Sequence, residues 1–450
     1  MNAVADRVRR TLATRAELGA LADVMTSRCR DLGAQQGDVI EIGLRHGGDA
    51  LAAWAGAVLG GFVPMFVADR DVALGLGAAR MSADIAIVQR TSGTTGTPQV
   101  LAIEGHRVLA QVDGLAAALG LRDNDVIASC LPLHHDMGLV STVLLPLVCG
   151  TPCVHVDPAL WRADAASLLH AIAGARATLT WLPPSALARL VRRCADVDVD
   201  LSSLRQIVCG GEVVPDGLIR DFTTAFATRG IAEHVVGAGW GMAENVAAVT
   251  HSPPGRAPTR LAITRSSFAP GRAIEETRSV DALVLVSVGP PIAGTFVRVC
   301  DEGGNDLGER VLGELHVRGT CRADPDTWLP TGDVGLVADG KVYVCGRKDE
   351  LLHMGGTWLP PHEVELAAGT VPGVRPGRIA ALTDDRGTLV VLVEGDDAVD
   401  CDAIADAVAR HTTHRPRVVL AVPNSLPRST SGKLGRRRCA TLVHSRSQPR

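Results

Sequence analysis

Aromatic side chains are scarce in this 450-residue chain: 3% of residues, with one tyrosine, six phenylalanines and six tryptophans. Cores must be built from Ala, Val and Leu, and a tryptophan set between glycines reads as a contact surface rather than as filling. No run of about 20 uninterrupted apolar residues occurs, which excludes a membrane-spanning helix. Met1 to Arg10 contains no apolar stretch of the kind a secretory signal needs, and the eleven cysteines, an odd number, form no paired C-x-x-C framework. Both features point to packing thiols kept reduced in the cytoplasm. Nor does one sign of charge dominate. The formal net charge is -4 with the charges mixed along the chain, which argues against nucleic acid or a membrane surface as partner. Only the end is basic, through Arg436-Arg437-Arg438, Arg446 and Arg450, and this reads as a solvated tail.

What is present is a chain with 46% hydrophobic residues, long enough for more than one domain. Helix-compatible spacing over 18–32 and 49–59 alternates with strand-like runs at 39–42 and 62–67. The alternation continues through a strand at 126–131, a helix at 138–148, a strand at 152–156, a helix at 163–174, a strand at 177–181, a helix at 183–194 and a strand at 205–209. A layered α/β fold follows. Residues 252–279 read as a long surface connection. Beyond Val297 short strands take over, and from about Asp349 a compact α+β pattern runs to the end. The expected division is a large domain over 1–345 and a small domain over 346–450, with a hinge near Gly346–Glu350.

The most informative segment is Thr91-Ser92-Gly93-Thr94-Thr95-Gly96-Thr97-Pro98. Its glycines permit close backbone approach, and its hydroxyls and amides can point at anionic oxygens, so it reads as a grip for the phosphates of ATP. It is no Walker loop, because no Gly-Lys-Ser/Thr follows and Pro98 leads into the strand-like Val100-Leu101-Ala102-Ile103.

Further motifs follow in order: Pro132-Leu133-His134-His135-Asp136-Met137-Gly138-Leu139, Gly210-Gly211-Glu212, Trp240-Gly241-Met242-Ala243-Glu244, Gly313–Gly319, Thr331-Gly332-Asp333, Gly346-Arg347 and Pro427–Lys433. Together they resemble the adenylate-forming superfamily of acyl-CoA synthetases, nonribosomal adenylation domains and luciferase-like enzymes. The His-Asp-Met-Gly-Leu form is most similar to fatty acyl-AMP ligases. The resemblance implies a large N-terminal α/β domain with a small mobile C-terminal α+β lid. Lys433 would neutralise charge as a carboxylate attacks the α-phosphorus. Glu244 would hold Mg²⁺, a hard cation that needs an oxygen donor. Thr91 to Gly96, Gly211, Glu212, Trp240, Gly241, Met242, Ala243, Asp333 and Arg347 would bind ATP, with Trp240 stacked on adenine and Asp333 and Arg347 on the ribose side. His135, Trp181, Gly210, Gly237, Ala238 and Gly239 would line the acyl pocket. Asp349 would be the hinge, and Gly355-Gly356 either a loop shown to the second substrate or a plain turn. The adjacent pair His134-His135 is not read as a metal site, since neighbouring side chains diverge.

The chain departs from the family in two places. Gln99 stands where the phosphate loop ordinarily ends in Lys, a loss of about 1.5 to 3 kcal/mol unless a cation such as Arg90 replaces it. Between Phe66 and Thr91 only about 20 residues stand where the family places a longer segment, room for a loop with one short strand. The expected activity is ATP- and Mg²⁺-dependent activation of a carboxylic acid to an acyl-adenylate, then acyl transfer to an acyl carrier protein. The alternatives are CoA or an amine as acceptor, or a degenerate nucleotide-binding protein without turnover.

Overall fold

Strands buried on both faces are mostly apolar, and the segments around residues 180, 207 and 237 fit this apart from the buried Thr180 and Gln206. In the computed structural model, which describes residues 3–44, 47–68, 74–90, 99–375, 377–384, 386–395, 399–428 and 434–446, they form the centre of a six-stranded sheet. Cys153–His155, Ile127–Ser129, Leu179–Leu182, Gln206–Gly210 and Val236–Gly241 run parallel in that order, and Ala248–His251 closes the edge antiparallel. Helices Ala166–Ala175, Pro184–Cys194 and Asp216–Phe226 pack on one face through Leu168, Leu187 and Phe222. Helix Gly105–Leu119 and the helical run 136–149 pack on the other through Leu115, Val143 and Leu147. That run, expected as one helix, is broken by a π-helical turn at Val140–Leu144 ahead of Pro146. A proline nitrogen cannot donate to the preceding turn, so the helix widens there. The expected helix over 163–174 is likewise two pieces, Pro158–Ala163 and Ala166–Ala175.

Against this body lies a three-stranded sheet in the order Val63–Phe66, Asp38–Ile42, Leu74–Arg80, covered by helices Ala16–Asp31 and Gly47–Leu59. A Cβ on Gly56 would lie 2.5 Å from the Ala22 carbonyl, so only glycine lets these two helices meet. The segment after Phe66 carries two strands rather than one, Leu74–Arg80 and Ile85–Arg90. The second pairs antiparallel with Val100–Glu104, Arg90 opposite Val100. The stretch 252–279 is not simply a connection: Arg260–Ile263 is a strand paired with Leu283–Val286.

Thr295–Cys300, Gly313–Gly319, Leu329–Ala338 and Lys341–Arg347 form an antiparallel sheet. Beyond it, Leu352–Met354 and Thr357–Leu359 form a hairpin, and Ile379–Thr383, Leu389–Glu394 and Arg417–Ala421 a sheet packed by helices Pro361–Gly369 and Cys401–Thr412. Gly355 and Gly356 are the hairpin's central pair, both at positive φ, the tight turn their sequence allows. The basic run near the end is not a solvated tail. It opens helix Arg436–Arg446, and Arg436 pairs with Glu350 at 2.7 Å and Glu365 at 2.8 Å. All eleven cysteines are unpaired.

One buried ion pair bolts helix Gly105–Leu119 to the six-stranded sheet. Arg205 binds both oxygens of Asp125, at 2.7 and 2.5 Å, and donates to the Leu119 carbonyl at 3.0 Å. Burial pushes the Asp125 carboxyl up, but Arg205, Thr178 and the Arg122 amide pull it further down, below its ordinary 3.8. The stabilisation is therefore present above pH 3.8 and lost as pH falls through the lower folded-state value. Asp125→Ala strands the guanidinium and is expected to cost about 3 to 5 kcal/mol in denaturant unfolding at pH 7.

Candidate active site

In a parallel sheet, strand C-termini leave a crevice where ligands settle. Here the ends of Leu179–Leu182, Gln206–Gly210 and Val236–Gly241 border a pocket of about 590 Å³ including its mouth, floored by Trp181, Val208, Gly210 and Gly239. The floor is flat for a steric reason. A Cβ on Gly210 would stand 2.5 Å from the Gly239 carbonyl. The pocket joins residues from distant motifs: His135, Trp181, Gly210, Gly211, Gly239, Trp240 and Gly241.

His135 reaches it from the first turn of the helical run. It is the N-cap residue there, and its Nδ1 lies 2.6 Å from Asp136 Oδ1, which also accepts from the Met137 amide at 2.7 Å. The same Nδ1 also accepts from the Met137 amide at 3.3 Å, so the local contacts of the ring all fall on Nδ1 and Nε2 is the nitrogen left to face a ligand.

Trp240 ends its strand only 8% exposed, and its indole N–H donates to Asp333 Oδ2 at 2.9 Å. Asp333 Oδ1 accepts from Arg347 at 3.0 Å, and the same guanidinium group donates to the Thr331 carbonyl at 3.1 Å. Thr331 Oγ1 in turn accepts from the Asp333 amide at 3.0 Å. The motifs Trp240, Thr331-Gly332-Asp333 and Arg347 are thus one hydrogen-bonded chain. Each carboxylate oxygen retains acceptor capacity for a further hydroxyl.

Glu244 sits in the short turn Ala243–Asn245. Its main-chain carbonyl accepts from Arg107 at 3.4 Å and from Arg322 at 3.0 Å. Its carboxylate makes no hydrogen bond or ion pair among the described residues, and no cluster of three His, Cys, Asp or Glu exists there. A single uncommitted carboxylate fits Mg²⁺ delivered on a nucleotide's phosphates, which requires only one or two protein oxygens. It does not fit a resident metal held by protein alone.

The remaining residues are placed less directly. Gly237, Ala238, Glu212, Met242 and Ala243 do not line the pocket. Ala238 points into the core on the sheet's other face, and a Cβ on Gly237 would meet Gln206 and Ser252. Asp349 pairs with Arg437 at 2.6 Å. Thr91, Ser92, Gly93, Thr94, Thr95, Gly96 and Lys433 lie outside the described residues. Sequence reasoning missed Leu115, Val140, Ser141, Ala247, Ala248 and His251, all pocket-lining. The alanines stand just past a quoted motif, whereas His251 becomes visible only through strand pairing opposite Gly239.

Residues 76–324 match the AMP-binding enzyme family. The chain belongs to that family. A putative ligase of Mycobacterium tuberculosis, Rv1013, is 30% identical over 391 residues, 80% of this chain and 72% of the relative. The 4-hydroxyphenylalkanoate adenylyltransferase of that organism is 29% identical over 398 residues, 78% of this chain and 64% of the relative. Its long-chain-fatty-acid–AMP ligase FadD28 is 29% identical over 410 residues, 79% and 69% respectively. Among solved structures, one from a study of fatty acyl-adenylate ligases from E. coli and L. pneumophila superposes with a TM-score of 0.85 at 20% identity, covering 96% of this chain and 93% of that one. The fold of this adenylate-forming family member is therefore that of the adenylate-forming enzymes.

Trp240→Phe keeps an aromatic face and removes the bond to a charged acceptor. Losing a hydrogen bond to a charged acceptor should lower the unfolding free energy by about 1.5 to 3 kcal/mol in denaturant unfolding.

Proposed function

We propose that this protein joins a carboxylic acid to ATP and then hands the acyl group to a thiol, by preference the phosphopantetheine of an acyl carrier protein. The carrying observation is that one crevice sets an apolar pocket, a histidine at its rim and the Trp240–Asp333–Arg347 chain side by side. In the first step a carboxylate oxygen bonds to the α-phosphorus as the bond to the β-phosphate bridge breaks, releasing pyrophosphate. In the second the thiol sulfur bonds to the acyl carbon, AMP departs and the thiol proton passes to base.

Each residue has a part in this reading. Asp333 and Arg347 hold the ribose, Trp240 backs the adenine, His135 Nε2 orients the carboxylate, and residues 91–96 grip the phosphates. Glu244 would hold Mg²⁺, which neutralises phosphate charge. Lys433 supplies the positive charge that builds no strength until the transition state. Arg90, which ends its strand opposite Val100, would replace the cation lost at Gln99.

The small domain, residues 346–450, would rotate about Asp349 between the two steps. Its present contact with the large one includes Arg265 to Glu363 at 3.3 Å, a part-buried pair whose carboxylate also meets His411 at 3.0 Å. The relatives' names supply two acid classes, fatty acids and 4-hydroxyphenylalkanoates. Leu115, Val140, Trp181 and Val208 suit the apolar part of either. No described helix is long and apolar enough to cross a membrane.

A panel of acids with hydroxylamine should give acid-dependent hydroxamate and pyrophosphate. Lys433→Ala should slow adenylate formation by about 10² to 10³ while ATP binding persists. Pyrophosphate release by no acid, or undiminished release in Lys433→Ala, overturns the reading.

A further inference from the structure

A histidine buried in an apolar wall without a well-formed hydrogen bond costs stability, and His251 is such a residue. It is 3% exposed, and neither ring nitrogen makes a well-formed hydrogen bond among the described residues, the Ser252 main chain being a polar neighbour. An unsatisfied buried polar group costs about 1 to 3 kcal/mol, so native proteins retain few of them without a use.

Its position gives the use. His251 stands opposite Gly239 across the antiparallel pair, and Gly239 stands beside Gly210 in the parallel one. Partners across a ladder share a face of the sheet, and this face is the pocket floor, where His251 lies with Trp181 and Val208. Gly239 and Gly210 carry no side chain to screen it. The neighbouring amide, Gln206 Nε2, is committed to the Ser252 carbonyl at 3.0 Å. Burial draws the imidazole down to about 4, against a weak opposing pull from the Ser252 main chain, so the ring is neutral at physiological pH. A neutral ring has one N–H donor and one acceptor, and a hydroxyl can meet either.

We infer that His251 is a specificity-determining residue and that the acid this enzyme activates carries a hydroxyl group on its otherwise apolar body. This inference rests on the adenylation reading above. A site built to bond a hydroxyl rejects the analogue lacking it far more strongly than a purely apolar pocket could.

The test uses matched acids with the full-length chain: 3-(4-hydroxyphenyl)propanoic against 3-phenylpropanoic acid, and 12-hydroxydodecanoic against dodecanoic acid, in acid-dependent ATP–pyrophosphate exchange. In the wild type, kcat/KM for the hydroxylated member of at least one pair should exceed its partner's tenfold or more. His251→Leu should bring that ratio within twofold, and His251→Gln, which can donate and accept, should restore part of it. Calorimetric binding of the same acids in the absence of ATP should show the same loss of preference. A wild-type ratio under twofold in both pairs, or a ratio unchanged in both variants, overturns the inference. So does a melting temperature lowered equally in both variants with the ratio retained, which marks a structural histidine. Exchange with none of the four acids and with no acid of the wider panel sinks the adenylation reading instead.

Discussion

The site depends on one buried carboxylate. Asp333 lies 8% exposed in the four-stranded sheet, and it binds Trp240 from the end of the six-stranded sheet and Arg347 from the last strand before the proposed hinge. An ionised carboxylate is tolerated there only because both oxygens are bonded. Removing either donor would leave a charge in a desolvated cleft, so the chain fixes the relation of two sheets as firmly as it prepares a place for hydroxyls. The same logic explains the surrounding main chain. Gly332 is at positive φ with the Arg347 guanidinium 3.0 Å from where its Cβ would be, so the turn that presents Asp333 requires glycine.

Much of this was legible in the sequence because the determinants are local. Alternating apolar runs give the layers, and glycines flanking Trp240 and at Gly210-Gly211 mark strand ends that must approach a ligand. The alternation also placed the strands at 179–182 and 206–210 to within two residues. What was not legible depends on long-range pairing. Helix Gly105–Leu119 carries Leu115 and Arg107 toward the site, yet its start has no cap signal, Glu104 ahead of it making no side-chain cap bond, although Gly120 closes its other end. His251 looked like any strand residue until register put it opposite Gly239. Arg436 and Arg437 looked like a solvated run because their acids, Glu350, Glu365 and Asp349, lie 71 to 88 positions away.

That last misreading changes how the small domain should be understood. Burial raises the Glu350 carboxyl against the pull of Arg436, and that guanidinium is itself driven up by Glu365 and Glu350 against its own burial. Arginine, with its planar fork, suits such a shared site better than lysine would. Charges that would repel as a tail therefore become the joint between the final helix and the segment after Arg347, with Arg437 holding Asp349 directly.

The geometry at the base of the Lys433 segment follows from this joint. Arg428 bridges Leu434, and the Gly435 amide donates to the Pro427 carbonyl at 2.9 Å, so the chain leaves and returns at one point. Gly435 then opens the helix whose first two residues grip Glu350, Glu365 and Asp349. A turn of the backbone at Asp349 would therefore carry the final helix, and with it the paired positions Arg428 and Leu434, as one piece. Precision at a transition state needs that kind of short, bonded lever, because a displaced charge loses most of its effect. The ionic joint, rather than any local sequence signal, is what ties the final helix to the segment after Arg347, bringing together charges 71 to 88 positions apart.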